Sequence, residues 1–422
     1  MITKQRTRKI ELLSPAGGFD KLRFAIAYGA DALYGGVKGF SLREGAKNFS
    51  IEELYEALSY CHTHGKKFYL TANVFLHEGH FEAFKSFVGE ISRLPLDGIL
   101  ISDIGALSYL REKFPEIPIH ISTQANTLNS EAIKFYEKLG VKRIVLAREL
   151  TLNEIKAIRD KTDIELETFV HGAMCIAYSG RCLLSNYFTN PSLYRPGKKP
   201  EAIKIERTRD ANLGDCSQAC RWSYYLVETT RREDFLPVEI EDNFSTTILS
   251  SKDLSLAPFM KELIEAGIDS FKIEGRMKSI YYVANTTRVY RHCIDSVIKN
   301  KPFDSSMIEE LNKISHREYT TGFFFEENRL ATHTTFKGYE RSKVFLGYVM
   351  EVINENEYLI RAANQIKSGD RIEVISPDGN DLLKNYHILD RDNRSEKDVL
   401  QPDEECILVC ENKLSQFSIF RK

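Results

Sequence analysis

From Ile10 onward the chain repeats one pattern: a short β-branched or aliphatic run, a polar loop, a stretch with apolar residues at i, i+3 and i+4, then a glycine turn into the next run. Eight runs read as strands: Ile10 to Ser14, Ala32 to Gly35, Lys67 to Asn73, Gly98 to Ser102, Pro118 to Ser122, Arg143 to Ala147, Ile164 to Val170 and Ser270 to Ile273. Between them, Ile51 to His64 and Glu131 to Leu139 carry helical spacing. Tyr28-Gly29-Ala30-Asp31, Leu139-Gly140-Val141 and Ala266-Gly267-Ile268-Asp269 use glycine to leave a helix before a strand. Eight such units predict an α/β fold, a TIM-like (β/α)8 barrel with an outer ring of helices. A doubly wound open sheet is the competitor, but it usually carries a glycine-rich phosphate turn after its first strand. No G-x-G-x-x-G stands there.

The repeat breaks between Cys182 and Thr246, where the sequence is polar and too long for an ordinary βα loop. An insertion after the seventh strand lies on the face where barrel chemistry is done. The helical pattern resumes near Tyr282 to Lys299 and is followed by Ser315-His316-Arg317-Glu318-Tyr319-Thr320-Thr321-Gly322-Phe323. Short alternating runs then appear at Leu346 to Ile353, Glu357 to Ile360, Asp370 to Ile375 and Cys406 to Cys410, split by turns such as Ser368-Gly369-Asp370 and Pro377-Asp378-Gly379. The expected organisation is a barrel at 8–300 with its insertion at 183–245, a linker at 301–340 and a small all-β barrel at 341–415.

With 422 residues, 42% of them apolar and 28% charged, the chain has ample material for one large domain and a small one. Lys4, Arg6, Arg8 and Lys9 are followed by no apolar core of a signal peptide, and no uncharged apolar run reaches bilayer length. The expectation is a cytoplasmic protein with no membrane partner. Its formal charge of −2 gives no global attraction to nucleic acid, so RNA contact needs a local patch. One candidate is Arg195, Lys198, Lys199, Lys204, Arg207 and Arg209; the plainer reading is a solvated loop.

Eight cysteines in a cytosolic chain point away from disulfides. Cys175 and Cys182, six residues apart, open the insertion, and Cys216 and Cys220, three apart, stand near its other end. Four thiolates suit an iron–sulfur cluster, which takes one per iron; zinc sites usually show tighter C-x-x-C hairpins or add histidine. Ordinary buried cysteines are the remaining reading, and the better one for Cys61, Cys293, Cys406 and Cys410. His171 lies four residues before Cys175, so a Cys/His nucleophile is conceivable, but neither H-E-x-x-H nor G-x-S-x-G supports hydrolysis.

The strand C-termini should converge on one pocket. Ser14, Tyr34, Asn73, Gln124, Arg148 and Arg276 are the candidates for binding substrate there, and Glu167, His171, Lys272 and Glu274 for moving protons. Arg148, Lys272 and Arg276 could hold the carboxylates of a small anion, arginine adding bidentate geometry. The plainer reading pairs Arg148 with Glu149 and Lys272 with Glu274.

The run Glu167-Thr168-Phe169-Val170-His171-Gly172-Ala173-Met174-Cys175 with Gly180-Arg181-Cys182 and Leu184-Ser185 resembles the signature of the collagenase-like peptidase U32 family. Glu11-Leu12-Leu13-Ser14-Pro15-Ala16-Gly17, Gly29-Ala30-Asp31-Ala32, Gly214-Asp215-Cys216, Cys220-Arg221-Trp222, Phe271-Lys272-Ile273-Glu274-Gly275-Arg276-Met277-Lys278 and Tyr319-Thr320-Thr321-Gly322-Phe323 extend the likeness over nearly the whole chain. It is similar above all to the tRNA hydroxylation branch. The resemblance implies a barrel with an iron–sulfur cluster of the [4Fe–4S] type on Cys175, Cys182, Cys216 and Cys220. It also implies oxygen-independent hydroxylation of RNA to 5-hydroxyuridine at the tRNA wobble position, with prephenate as a metabolic source and a paralogous partner conceivable. One sibling branch takes its fourth cysteine further downstream; Leu249-Ser250-Ser251-Lys252 here holds none, which favours Cys220. Peptidase action on collagen-like chains, and a non-enzymatic RNA-binding or assembly role, are the other functions the family likeness leaves open.

Overall fold

The computed structural model describes residues 9–42, 46–175, 177–189, 209–222, 225–227, 235–237, 252–325 and 339–422. Seven parallel strands follow one another: β1 (Glu11–Pro15), β2 (Ala32–Gly36), β3 (Lys67–Thr71), β4 (Gly98–Ile101), β5 (Ile119–Ile121), β6 (Arg143–Val145) and β7 (Glu165–Ala173). The insertion contributes a two-stranded hairpin, β8 (Tyr225–Val227) with β9 (Phe235–Pro237). Next, β10 (Asp253–Ser255) runs antiparallel to the end of β7. β11 (Ser270–Ile273) then pairs in parallel with both β7 and β1, which closes an eight-stranded barrel.

The helices are α1 (Phe19–Ala27), α2 (Ile51–Thr63), α3 (Phe81–Ile91), α4 (Ile104–Lys113), α5 (Ser130–Lys138), α6 (Leu152–Arg159), α7 (Leu184–Thr189) in the insertion, α8 (Met260–Glu265), α9 (Ile280–Ile298) and α10 (Ser306–Leu311). Local chemistry sets their starts. Ser50 with Glu53 and Thr151 with Glu154 form reciprocal capping boxes that satisfy the first backbone N–H groups of α2 and α6. Leu54, Leu58, Phe84, Val88 and Ile155 then face the outer surface of the barrel and are buried. No helix among the described residues is long and apolar enough to cross a membrane.

The described part of the segment expected to be a linker is joined to the barrel sheet. β12 (Tyr319–Thr320) pairs with β10 and extends the sheet, and the buried Arg317 donates to Asp253 of β10 (2.9 Å). The tail is all-β, as expected. It is a seven-stranded antiparallel sheet with its own apolar core, and among the described residues its two outermost strands, Gly379–Leu382 and His387–Asp390, do not pair to close a barrel. One of its inner strands, Ile419–Arg421, lies beyond the expected boundary at 415 and joins Phe345–Val352 to Glu373–Ser376. Arg421, fully buried, ties this sheet to the barrel through Glu310 (2.7 Å) and the Tyr281 hydroxyl (3.0 Å).

Below the mouth, the inside of the barrel is charged. Arg143 on β6 donates to Glu11 on β1 (2.6 Å) and to Glu167 on β7 (3.0 Å), and Lys272 on β11 donates to the other oxygen of Glu167 (2.8 Å). The Tyr69 hydroxyl and Ser270 complete the shell of Glu11. Burial opposes the charge on Arg143, but Glu11 and Glu167 more than offset it and hold its pKa well above the usual range. His120, also enclosed, is pushed well below the ordinary imidazole range by burial and then by Arg143 and Lys272. This network is the floor on which the mouth is built.

Candidate active site

Seven of the expected residues meet in one small pocket at the C-terminal ends of the strands. Tyr34, Asn73, Gln124, Arg148, Lys272, Glu274 and Arg276 line it together with Thr71, Ser122 and Leu42. Neighbouring strand ends fix Arg276 and Asn73. Arg276 donates to Ser41 Oγ (2.6 Å) and Thr71 Oγ1 (2.9 Å), and Asn73 donates to Ser122 Oγ (3.1 Å) while accepting from the Leu42 amide (3.3 Å). The loop carrying Arg276 is seated against β1: a Cβ on Gly17 would lie 1.9 Å from the Arg276 carbonyl oxygen.

The expected ion pairs do not form. Glu149 accepts instead from the backbone N–H (2.7 Å) and the hydroxyl of Ser179, and Lys272 belongs to Glu167. Arg148 therefore has no carboxylate partner among the described residues. Its Nη1 donates to the Ala173 carbonyl (2.9 Å), and its guanidinium lies 4.0 Å from the Phe169 ring centroid. Its Nε is buried without a partner, as is Gln124 Oε1. An unpaired donor and an unpaired acceptor at one pocket mark a place for a polar ligand, since leaving both dry costs about 1–3 kcal/mol each. Lys272 stands over the Tyr34 ring at 4.3 Å; burial lowers its pKa, with Glu167 opposing.

Three sequence expectations are placed elsewhere. Ser14 points outward, its hydroxyl 2.8 Å from Thr287 Oγ1 of α9, and does not reach the mouth. Glu167 is fully enclosed beneath the pocket and touches it through Lys272. His171 is turned out of the barrel by a β-bulge. Lys272 pairs with Phe169 and Ile273 with His171, so Val170 is an extra residue and the inward parity of Glu167 and Phe169 is lost at His171. It lies among Tyr282, Tyr290 and Tyr319. The Tyr290 hydroxyl donates to the Val170 carbonyl (2.7 Å), so its contact with His171 Nδ1 (3.3 Å) needs the imidazole as donor, leaving Nε2 buried and unpartnered. Burial drops the His171 pKa to about 3. A buried ring facing tyrosines does not serve as base for the exposed Cys175.

Cys175, Cys216 and Cys220 line a second cavity of about 290 Å³, with Met277, Lys278 and Tyr339. Cys182 is not in that lining; its carbonyl accepts from Asn212 Nδ2 (3.1 Å), which ties its loop to the segment preceding Cys216. The Gln218 amide donates to Cys216 Sγ (3.3 Å). Among the described residues no three His, Cys, Asp or Glu side chains group closely enough to ligate one metal ion. A cluster with one thiolate per iron does not need that convergence. Of the basic stretch, Arg195, Lys198, Lys199, Lys204 and Arg207 lie outside the described residues, while Arg209 donates to Asp215 (2.9 Å) beside the thiols. Glu274 lines both cavities and forms their common wall.

Residues 17–334 match the sequence profile of peptidase family U32. The chain belongs to that family. The U32 chain is 36% identical over 417 residues to tRNA hydroxylation protein P of Escherichia coli, covering 88% of this chain and 87% of the relative. It is 37% identical over 295 residues to a 23S rRNA 5-hydroxycytidine synthase of the same organism, covering 70% of this chain and 41% of that one. A protein named collagenase from Porphyromonas gingivalis is 30% identical over 388 residues, covering 87% and 86%. The U32 match covers the barrel from the end of β1 onward, the insertion and the β10–β12 extension, and so contains every residue of both cavities except Tyr339.

Sequence reasoning missed the charged floor and the hydroxyls that hold Arg276. A signal existed: Glu11, Arg143, Glu167 and Lys272 are isolated charges of balanced sign inside otherwise apolar strands, where an unpaired charge would not be kept.

Proposed function

We propose that this U32 protein is an oxygen-independent RNA-hydroxylating enzyme that forms 5-hydroxyuridine at the wobble position of tRNA in the cytoplasm. RNA hydroxylation is supported by the names of its relatives. The observation that carries the chemical reading is the common wall: one carboxylate, Glu274, borders an anion pocket on one side and three thiols on the other. The cysteines are all free, in keeping with a reducing compartment.

In this reading Cys175, Cys182, Cys216 and Cys220 hold an iron–sulfur cluster, [4Fe–4S] by ligand count, and the donor set suits it: four thiols and an amide hydrogen bond to one sulfur. When bound, such a cluster supplies one-electron transfer. The protein supplies the rest. Arg148 and Arg276 hold the carboxylates of a prephenate-derived oxygen donor, Arg148 by a guanidinium not already matched to an acid. Phe169 shields the Arg148 guanidinium from water, which strengthens its hold on the anion. Gln124 accepts from a ligand hydroxyl, and Glu274 carries the proton lost from the base. The mouth pocket is small, about 60 Å³, so it takes the carboxylate end of the donor while the larger cavity receives the base. A uridine in an anticodon loop is already unstacked, which lowers the cost of presenting it.

The test is nucleoside analysis of tRNA from a deletion strain. It should lack wobble 5-hydroxyuridine, regain it with the wild-type gene, and fail to regain it with Cys175→Ala or Arg148→Ala. Normal modification in the deletion strain would remove the function, and normal rescue by Cys175→Ala would remove the thiols from it. If the cluster only stapled the insertion, deletion would alter RNA binding and leave base chemistry untouched.

A further inference from the structure

The segments that bear the cysteines expose aromatic surface that the proposed chemistry does not use. Trp222, the only tryptophan of the chain, follows Cys220 by two residues and is 44% exposed, with its ring 6.1 Å from that of Phe188 in α7. Tyr187, also on α7, is 59% exposed and packs edge-on against Phe188 at 5.2 Å. On the lining of the thiol cavity, Tyr339 is exposed as well, and Lys278 lies between its ring (4.8 Å) and that of Tyr282 (5.1 Å). Single exposed rings are ordinary on protein surfaces. Here Tyr187, Phe188 and Trp222 form a run of neighbouring rings on the cysteine-bearing segments, and Tyr339 with Lys278 stands on the wall of the thiol cavity.

The cations decide what it fits. Arg181, one residue before Cys182, is exposed, and neither it nor Lys278 has a carboxylate partner among the described residues. Exposed π faces beside unmatched positive charge suit a strand that offers unpaired bases and phosphates in turn; a duplex hides its base faces, and an acidic peptide offers no rings to stack. We propose that Trp222 and Tyr187 form a stacking platform for the unpaired bases next to the one being modified, with Arg181 and Lys278 meeting the intervening phosphates. The assignment rests on the reading of the protein as an RNA-modifying enzyme and deepens it. A base drawn toward the thiol cavity leaves its neighbours unstacked, and these rings restore the lost contact.

Because Trp222 is unique, its own emission reports the contact. The full-length protein, prepared anaerobically, is titrated with a synthetic anticodon stem-loop RNA and with a blunt duplex of the same stem. The stem-loop should quench Trp222 fluorescence, and the duplex should not. By anisotropy of labelled stem-loop, Trp222→Ala and Tyr187→Ala should each weaken binding about tenfold or more, with Trp222→Phe close to wild type, since a base stacks on any aromatic face. Stem-loop binding without quenching, or with both alanine variants at wild-type affinity, would overturn the platform while leaving the RNA function standing. No binding of the stem-loop by the wild-type protein would overturn both.

Discussion

Replacing Glu167 by glutamine tests the charged floor beneath the site. The side chain is fully buried and shared by two cations, Arg143 at 3.0 Å and Lys272 at 2.8 Å. The amide keeps the volume and removes the charge, so Lys272 loses its carboxylate and Arg143 keeps Glu11 and Glu165. Removing one partner of a buried ion pair costs about 3–5 kcal/mol, because the stranded charge is left in a low-dielectric interior. For a barrel of this size that corresponds to a fall in melting temperature of roughly 5–8 °C. The deficit should depend on pH in a definite direction. Lys272 already titrates below the usual lysine range because it is buried, and without Glu167 it falls further. Between its folded pKa and the normal lysine value the unfolded chain binds the extra proton, so stability rises with pH across that window. The gap between Glu167→Gln and wild type, measured by calorimetry, should be greatest below that window and narrow as the pH is raised through the depressed Lys272 pKa. A variant that melts with wild type, or a gap that widens with pH, would refute the argument.

His171 gives a second pH effect. Its pKa of about 3 in the folded protein against about 6.5 unfolded means that protons favour the unfolded chain below pH 6.5. Wild type should lose about 2 kcal/mol between pH 6.5 and pH 5 from this group, and His171→Phe should not; equal urea midpoint shifts in both would count against it. Arg148→Lys should weaken prephenate binding about tenfold and Arg148→Ala about a hundredfold in calorimetric titrations, and unaltered affinity would remove Arg148 as the anion anchor. Gly17→Ala drives a Cβ into the Arg276 carbonyl, so it should cost about 1–3 kcal/mol of stability and lower prephenate affinity by displacing Arg276. An unshifted melting temperature would show that the loop is not held there.

The barrel was readable because each βα unit repeats the same period and leaves its helix on glycine, and those signals are local. The mouth was readable for the same reason: once the strand ends are known, Asn73, Gln124, Arg148 and Arg276 must lie near one another. What was not readable depends on how backbones pair. His171 continues the parity of Glu167 and Phe169 in sequence, and only the bulge at Val170 turns it outward. Ser14 ends an apolar run as the other mouth residues do, yet its parity points it at Thr287. The strand Ile419–Arg421 is too short and too near the terminus to show alternation, and its place comes from partners 44 to 76 residues earlier along the chain. The pairing assumed for Arg148 failed because, beyond the end of β6, Glu149 turns to Ser179. Lys272 instead found Glu167 on the neighbouring strand.

The account rests on the anion pocket and the thiol cavity being one site joined at Glu274. The most direct measurement is the visible and electron-paramagnetic spectrum of anaerobically prepared protein before and after addition of prephenate. The account predicts an iron–sulfur spectrum that is absent in Cys216→Ala, is perturbed by prephenate in wild type, and is present but unresponsive in Arg148→Ala. A wild-type preparation without iron and sulfide, or a cluster spectrum indifferent to bound prephenate, would contradict it.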